Sequence, residues 1–146
     1  MNERHTMVIA APIARVWAMI DDAENLKRWM EGLVETTYPD GFDRRRAVGT
    51  RFVQRIREGG RVADYAGEIV TYDPPRHLGF VVGNSVFRMQ VDYRLAEAAG
   101  GTRLDYSALL VEAGVVVRFM SRLFGWLTRR ILRKQMARLR ALAEAP

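Results

Sequence analysis

Between Gly32 and Ala113 the chain alternates apolar and polar residues with a period of two. Five turn signals cut that run at hairpin spacing: Pro39-Asp40-Gly41, Glu58-Gly59-Gly60, Asp73-Pro74-Pro75, Gly83-Asn84 and Ala99-Gly100-Gly101. Five turns separate six strands. The alternation is clearest where Phe87, Met89, Val91, Tyr93 and Leu95 share one face and Arg88, Gln90, Asp92 and Arg94 the other. Leu104, Tyr106, Ala108 and Leu110 repeat it against Arg103, Asp105 and Ser107, and Phe52 and Ile56 oppose Arg51, Arg55 and Arg57. Such a sheet is antiparallel, apolar on one face and wet on the other, and its apolar face needs a cover.

The segments on either side supply the remaining elements. His5 to Ile9 is a short extended stretch, and Ala11-Pro12 sets a proline where a helix starts without losing a hydrogen bond. Ile13, Val16, Trp17 and Ile20 recur at three-and-four spacing and predict a helix ending at Asp21-Asp22. Asp21 with Glu24 resembles a capping box and predicts a second helix over about Asp22 to Glu31, with Leu26, Trp29 and Met30 inward. Carboxylates at a helix start satisfy free amides and the dipole, so Asp21 and Asp22 are read as caps rather than as metal or acid-base groups. After the sheet, Val115 to about Ala143 reads as one long helix, the cover for the apolar face. Its stripe runs Val116, Met120, Phe124, Leu127 and Ile131 and drifts into Leu132, Met136, Leu139 and Leu142. Gly125 interrupts it at about 1 kcal/mol relative to alanine, which predicts a kink, a frayed first section or a close approach there.

A chain of 146 residues suits one domain, residues 1–146, burying roughly 70% of its unfolded surface. With no cysteine there are no disulfides, thiolate ligands or thiol nucleophiles, and with only His5 and His77 a zinc site is not expected. The polar start, and an apolar run cut by Arg15, give neither a signal peptide nor a transmembrane segment, so the default location is the cytoplasm. The net charge of +6 is uneven: residues 114–146 hold 8 basic groups and 1 acidic one. That skew invites a polyanion, nucleic acid or an acidic membrane surface. A solvated helix face is the expected reading in a chain whose basic residues are 21 Arg and 2 Lys. The Arg44-Arg45-Arg46 run and the Arg51, Arg55, Arg57 face lack the interleaved aromatics that stack bases, and Glu35, Asp64 or Glu68 are placed to pair with them, so nucleic acid is not the expected partner.

The order strand, two short helices, six strands and long helix resembles the SRPBCC superfamily, nearest its polyketide cyclase/dehydratase-like branch, a relative of START lipid-transfer domains and pollen-allergen-type carriers. The resemblance rests on Ile9-Ala10-Ala11-Pro12 with Val16-Trp17, Asp22-Ala23-Glu24 through Trp29, Val48-Gly49-Thr50, Tyr72-Asp73-Pro74-Pro75-Arg76 and Gly101-Thr102-Arg103-Leu104. It runs nearly end to end. It implies an α+β helix-grip fold: a curved seven-stranded antiparallel sheet wrapped round the long C-terminal helix, two short helices after the first strand, and a cavity between sheet and helix. Members bind apolar small molecules there; some catalyse cyclisation or dehydration. No cofactor is implied.

The alternation then assigns the cavity wall: Phe52, Gln54 and Ile56, Phe80 and Val82, Phe87, Met89, Val91 and Tyr93, Tyr106 and Ala108, covered by Val116, Met120, Phe124 and Leu127, with Trp29 as gate or core aromatic. These side chains either line a ligand site or fill a solid core. Tyr93, Tyr106 and Gln54 are its polar groups, able to orient a carbonyl or hydroxyl, and a tyrosine whose pKa a neighbour lowered would serve as a weak acid. No catalytic residue is assigned. His77 falls in a turn and is expected to be exposed, with Asp73 as its nearest carboxylate, and Ser85, Ser107 and Ser121 lack a nucleophile elbow. The expected function is binding of an apolar small molecule or lipid. The alternatives are a cyclase/dehydratase-type enzyme acting on an aromatic or polyketide-like substrate, or an interaction module working through the basic helix. Nine of the thirteen residues from Val115 to Leu127 are apolar, more than one stripe absorbs. Burial by the wrapped sheet is the expected outcome; otherwise Val117, Phe119 and Trp126 are left at a surface suited to a homodimer or to membrane headgroups.

Overall fold

The structure, a computed structural model, describes residues 2–146; Met1, where the expected domain begins, lies outside them. The elements run β1 (Asn2–Ile9), α1 (Ile13–Asp21), α2 (Ala23–Trp29), β2 (Leu33–Thr37), β3 (Arg51–Glu58), β4 (Arg61–Asp73), β5 (His77–Gly83), β6 (Phe87–Ala98), β7 (Gly101–Ala113) and α3 (Val115–Glu144). All seven strands form one antiparallel sheet in the order β1-β7-β6-β5-β4-β3-β2. This is the expected α+β helix-grip architecture, and each of the five turn signals lies between two strands. The Arg44–Arg46 run forms a 3-10 turn after β2, which the periodicity does not reveal.

Pro12 caps α1 in extended conformation, as its fixed φ favours. The cap of α2 is Asp22 rather than Asp21: its carboxylate accepts from the amides of Glu24 and Asn25. Asp21 is the last residue of α1 and is free for other work.

The core lies on the concave face of the sheet, where α1, α2 and the second half of α3 cover it. Trp29 is 1% exposed and donates its indole N–H to the Met19 carbonyl at 2.9 Å, so the two short helices lock together under the sheet. Met136, Leu139 and Ala143 of α3 join them. The end of α3 is stapled to the β1–α1 turn, where the Ala10 amide donates to Glu144 Oε2 at 2.8 Å and Arg15 donates to the Ala145 carbonyl.

The first half of α3 departs from expectation. Its stripe of least exposure is Val117, Ser121, Gly125 and Thr128, continuing into Leu132, Met136 and Leu139, while Val116, Met120, Phe124, Leu127 and Ile131 are exposed. The apolar stripe is offset by about one residue from the packed one, roughly 100° round the helix. Close packing selects the small side chains Ser121 and Gly125 over the bulky ones. Phe124 also leaves helical dihedrals (φ −108°, ψ 15°) just before Gly125, where the sequence predicts a disturbance, yet the packed stripe keeps its three-and-four spacing through it.

Candidate ligand groove

Phe52, Gln54 and Ile56 point from β3 into the concave face, as do Phe80 and Val82 from β5, Met89, Val91 and Tyr93 from β6, and Tyr106 and Ala108 from β7. Phe87 begins β6, half-buried, with its ring 6.0 Å from that of Tyr65. The aromatic members pack edge to face: Phe52 with Phe80 (centroids 5.4 Å apart), Tyr93 with Trp29 (6.5 Å) and Tyr93 with Tyr106 (5.1 Å). Gly67 on β4 leaves room for this packing, since a Cβ there would collide with the Phe52 ring. Tyr93 and Trp29 therefore fill the centre of the concave face, and Trp29 is a core pillar rather than a gate at a mouth.

A cleft of about 700 Å³ between β1 and the start of α3 is mainly polar, whereas two other spaces beside this packed centre are mainly apolar. One is a small pocket of about 40 Å³ under α1 and α2, bounded among others by Phe52, Gln54, Phe80, Thr36, Tyr38 and Asp21. It has room for a water molecule or the tip of a ligand, and not for a whole one. Gln54 is only 7% exposed, Thr36 faces it across the β2–β3 pair, and Thr36 Oγ1 is buried without a hydrogen-bond partner among the described residues.

The other space is a groove of about 590 Å³ between α3 and the end of the β3–β4 hairpin. Met30 and Ile56 form one apolar side and Leu127 and Ile131 the other, while Arg57, Arg130 and Lys134 stand along its rim with Glu31 and Glu58. Lys134 is 3.8 Å from Glu31. The groove exists because the first half of α3 does not close over the sheet. Of the four residues expected to cover the cavity, only Leu127 borders it; Val116, Met120 and Phe124 are exposed to solvent.

Burial pushes the Tyr93 phenol well above its ordinary pKa, with Tyr106 adding to the effect, and burial together with the Glu3 carboxylate pushes Tyr106 up to about 12. Both are neutral hydrogen-bond donors at physiological pH, the opposite of the lowered pKa that acid catalysis needs.

Sequence reasoning missed the polar cluster at the side of the small pocket. Asp21 accepts from the Tyr72 hydroxyl at 2.7 Å and from Arg44 Nε at 2.8 Å. Burial, and then the bond to Asp21, push Tyr72 up to about 12. Tyr38 stacks on Phe42, whose ring also meets Tyr72 edge-on and lies 4.9 Å from the Arg44 guanidinium. The only sequence signal for this cluster is the arginine run itself. The other arginines pair as expected in part: Arg55 bonds Glu35 and Asp64, whereas Arg51 pairs with Asp40 rather than Glu68.

His77 also departs from its expected place. It opens β5, is half-buried, and contacts Asp92 rather than Asp73, with Nε2 2.7 Å from Oδ1. Asp92 lies on the convex face yet is buried, and Gly79 makes the space, because a Cβ there would come within 2.7 Å of Asp92 Oδ1. This pair is on the opposite side of the sheet from the groove.

The fold agrees with what the chain resembles among known proteins. Residues 4–144 match the model of the family described as polyketide cyclase / dehydrase and lipid transport. The chain belongs to that family. A comparison with curated protein sequences finds no match. Among solved structures, a Thermus thermophilus protein is similar over 100% of both chains at 18% identity and a TM-score of 0.75. A Chromobacterium violaceum protein is similar over 100% of this chain and 99% of its own at 19% identity, with a TM-score of 0.74. The di-domain ARO/CYC StfQ of the steffimycin biosynthetic pathway is similar over 98% of this chain and 50% of its own, at 8% identity and a TM-score of 0.76. At these identities the likeness is one of fold, and a fold carries many chemistries. No helix among the described residues is long and apolar enough to cross a membrane.

Proposed function

We propose that this family member binds an apolar small molecule or lipid in the groove between α3 and the β3–β4 end of the sheet. The observation that carries the reading is the groove itself. Its volume of about 590 Å³ falls in the range of small-molecule sites, and Met30, Ile56, Leu127 and Ile131 give it opposed apolar walls. Gln54 lies two residues before Ile56 on the same face of β3, so the small pocket offers polar groups to a ligand's tip. At the rim Arg57, Arg130 and Lys134 outnumber Glu31 and Glu58, and with Lys134 facing Glu31 it is Arg57 and Arg130 that favour a ligand with an anionic end, because a carboxylate there gains charge-assisted hydrogen bonds.

Titration with cis-parinaric acid, a fluorescent conjugated fatty acid, tests the reading. Saturable one-to-one binding is expected, weaker for the methyl ester, and at least tenfold weaker for Leu127→Arg. Absence of saturable binding to the acid, or equal binding by Leu127→Arg, overturns it. The cyclase-type alternative would need turnover of an aromatic or polyketide-like substrate, and the raised phenols of Tyr93 and Tyr106 argue against either as its acid.

A further inference from the structure

The outer side of the first half of α3 carries large apolar side chains that neither the core nor the groove uses. Val115 is 84% exposed, Phe119 63% and Trp126 56%, and Val116 and Leu123 share this side. At about 100° per residue these five fall within one sector of the helix, opposite the packed stripe of Val117, Ser121 and Gly125. Val86, in the β5–β6 turn beside the start of α3, extends the apolar surface and is itself exposed.

The flank of this sector is cationic. Arg118 and Arg122 stand one turn apart, and Arg129 continues the row along the β1 side of the helix. Arg133 follows it one turn later, and no acidic residue occurs from Gly114 to Ala143. An amphipathic helix with an outward apolar sector, aromatic residues on it and a flanking arginine row is the arrangement that lies in the headgroup layer of a bilayer. A symmetric pairing of two copies through the same face would bring two arginine rows together with no acidic residue from α3's own sector to offset them, so charge disfavours a second copy as the occupant.

We infer that the first half of α3 is a docking surface for an anionic lipid bilayer, with Phe119, Leu123 and Trp126 entering the interface and Arg118, Arg122, Arg129 and Arg133 at the phosphate level. The helix lies on the membrane and does not span it, since no helix among the described residues is long and apolar enough to do so. This surface is distinct from the groove, so its test is independent of whether the groove is occupied.

Sedimentation with phosphatidylcholine vesicles, with and without 30 mol% phosphatidylglycerol, provides the test. Binding is expected only to the anionic vesicles and should weaken with salt. Trp17 and Trp29 are buried, so a blue shift of tryptophan fluorescence on binding reports Trp126 and should vanish in Trp126→Phe. Replacing Arg118, Arg122, Arg129 and Arg133 by Gln, all exposed and outside the core, should weaken binding by roughly fivefold per charge removed. Phe119→Ser should weaken it at least tenfold, with circular dichroism unchanged. No sedimentation with the anionic vesicles overturns the inference. So does a lipid-free homodimer that Phe119→Ser converts to monomer, because the sector would then be covered by a second copy.

Discussion

The backbone amide of Ala10 donates to the carboxylate of Glu144 at 2.8 Å, joining the end of the first strand to the last turn of the long helix. Arg140, one turn earlier, donates to the same oxygen at 3.2 Å, and these bonds lower the Glu144 pKa, the Ala10 bond most. The helix is thus held at its C-terminal end and packed through Met136 and Leu139, while its first four turns rest on a narrow stripe of mostly small side chains. Both the open groove and the outward apolar sector follow from this uneven grip.

Local stability should therefore fall along α3 towards its start. In native-state hydrogen exchange, amides of residues 118–126 should exchange faster than those of residues 134–143. Trypsin should cut first at Arg118 or Arg122. Equal protection along the whole helix would contradict the uneven grip.

Thr36→Val should stabilise the protein. The Thr36 hydroxyl oxygen is buried without a partner among the described residues, and replacing it with a methyl group of similar size removes that desolvation cost. A gain of about 1 kcal/mol in urea denaturation is expected. A loss of that size would mean the hydroxyl has a partner.

The five tyrosines all have phenols raised above the ordinary value near 10, with burial the largest cause for each; Tyr65, Tyr72 and Tyr106 reach about 12. Because the folded-state values exceed the unfolded ones, their contribution to stability is complete below pH 10 and is lost as pH rises towards 12. Absorbance at 295 nm at pH 10 should show less phenolate in the folded protein than in the unfolded chain. A tyrosine titrating with a midpoint at or below 10 before unfolding would contradict the packing described for it.

Tyr93→Phe and Tyr106→Phe should leave affinity for parinaric acid within a few-fold, since both rings pack in the centre of the concave face, outside the residues bordering the groove. Ile56→Arg, at the groove wall, should weaken it at least tenfold. The reverse order of effects would move the ligand to the middle of the sheet.

The strands were legible because each turn carries Gly, Pro or Asn at hairpin spacing and each strand alternates with period two, signals that are local in sequence. The concave-face residues Phe52, Gln54, Phe80, Tyr93 and Tyr106 followed from that period. What α3 presents to the sheet was not legible. Nine apolar residues among thirteen leave no single preferred face, and close packing takes the small side chains Ser121 and Gly125 in place of the bulky ones beside them. The polar pairs were hidden for another reason. Asp21 and Tyr72 are 51 residues apart, and His77 and Asp92 are 15 apart, so only strand register and helix placement bring them together.

Native mass spectrometry of the protein as purified, and again after incubation with parinaric acid, tests the ligand groove most directly. One added mass per chain, released on denaturation and lost in Leu127→Arg, is the predicted result. A bare chain under both conditions, with the protein folded, would contradict it.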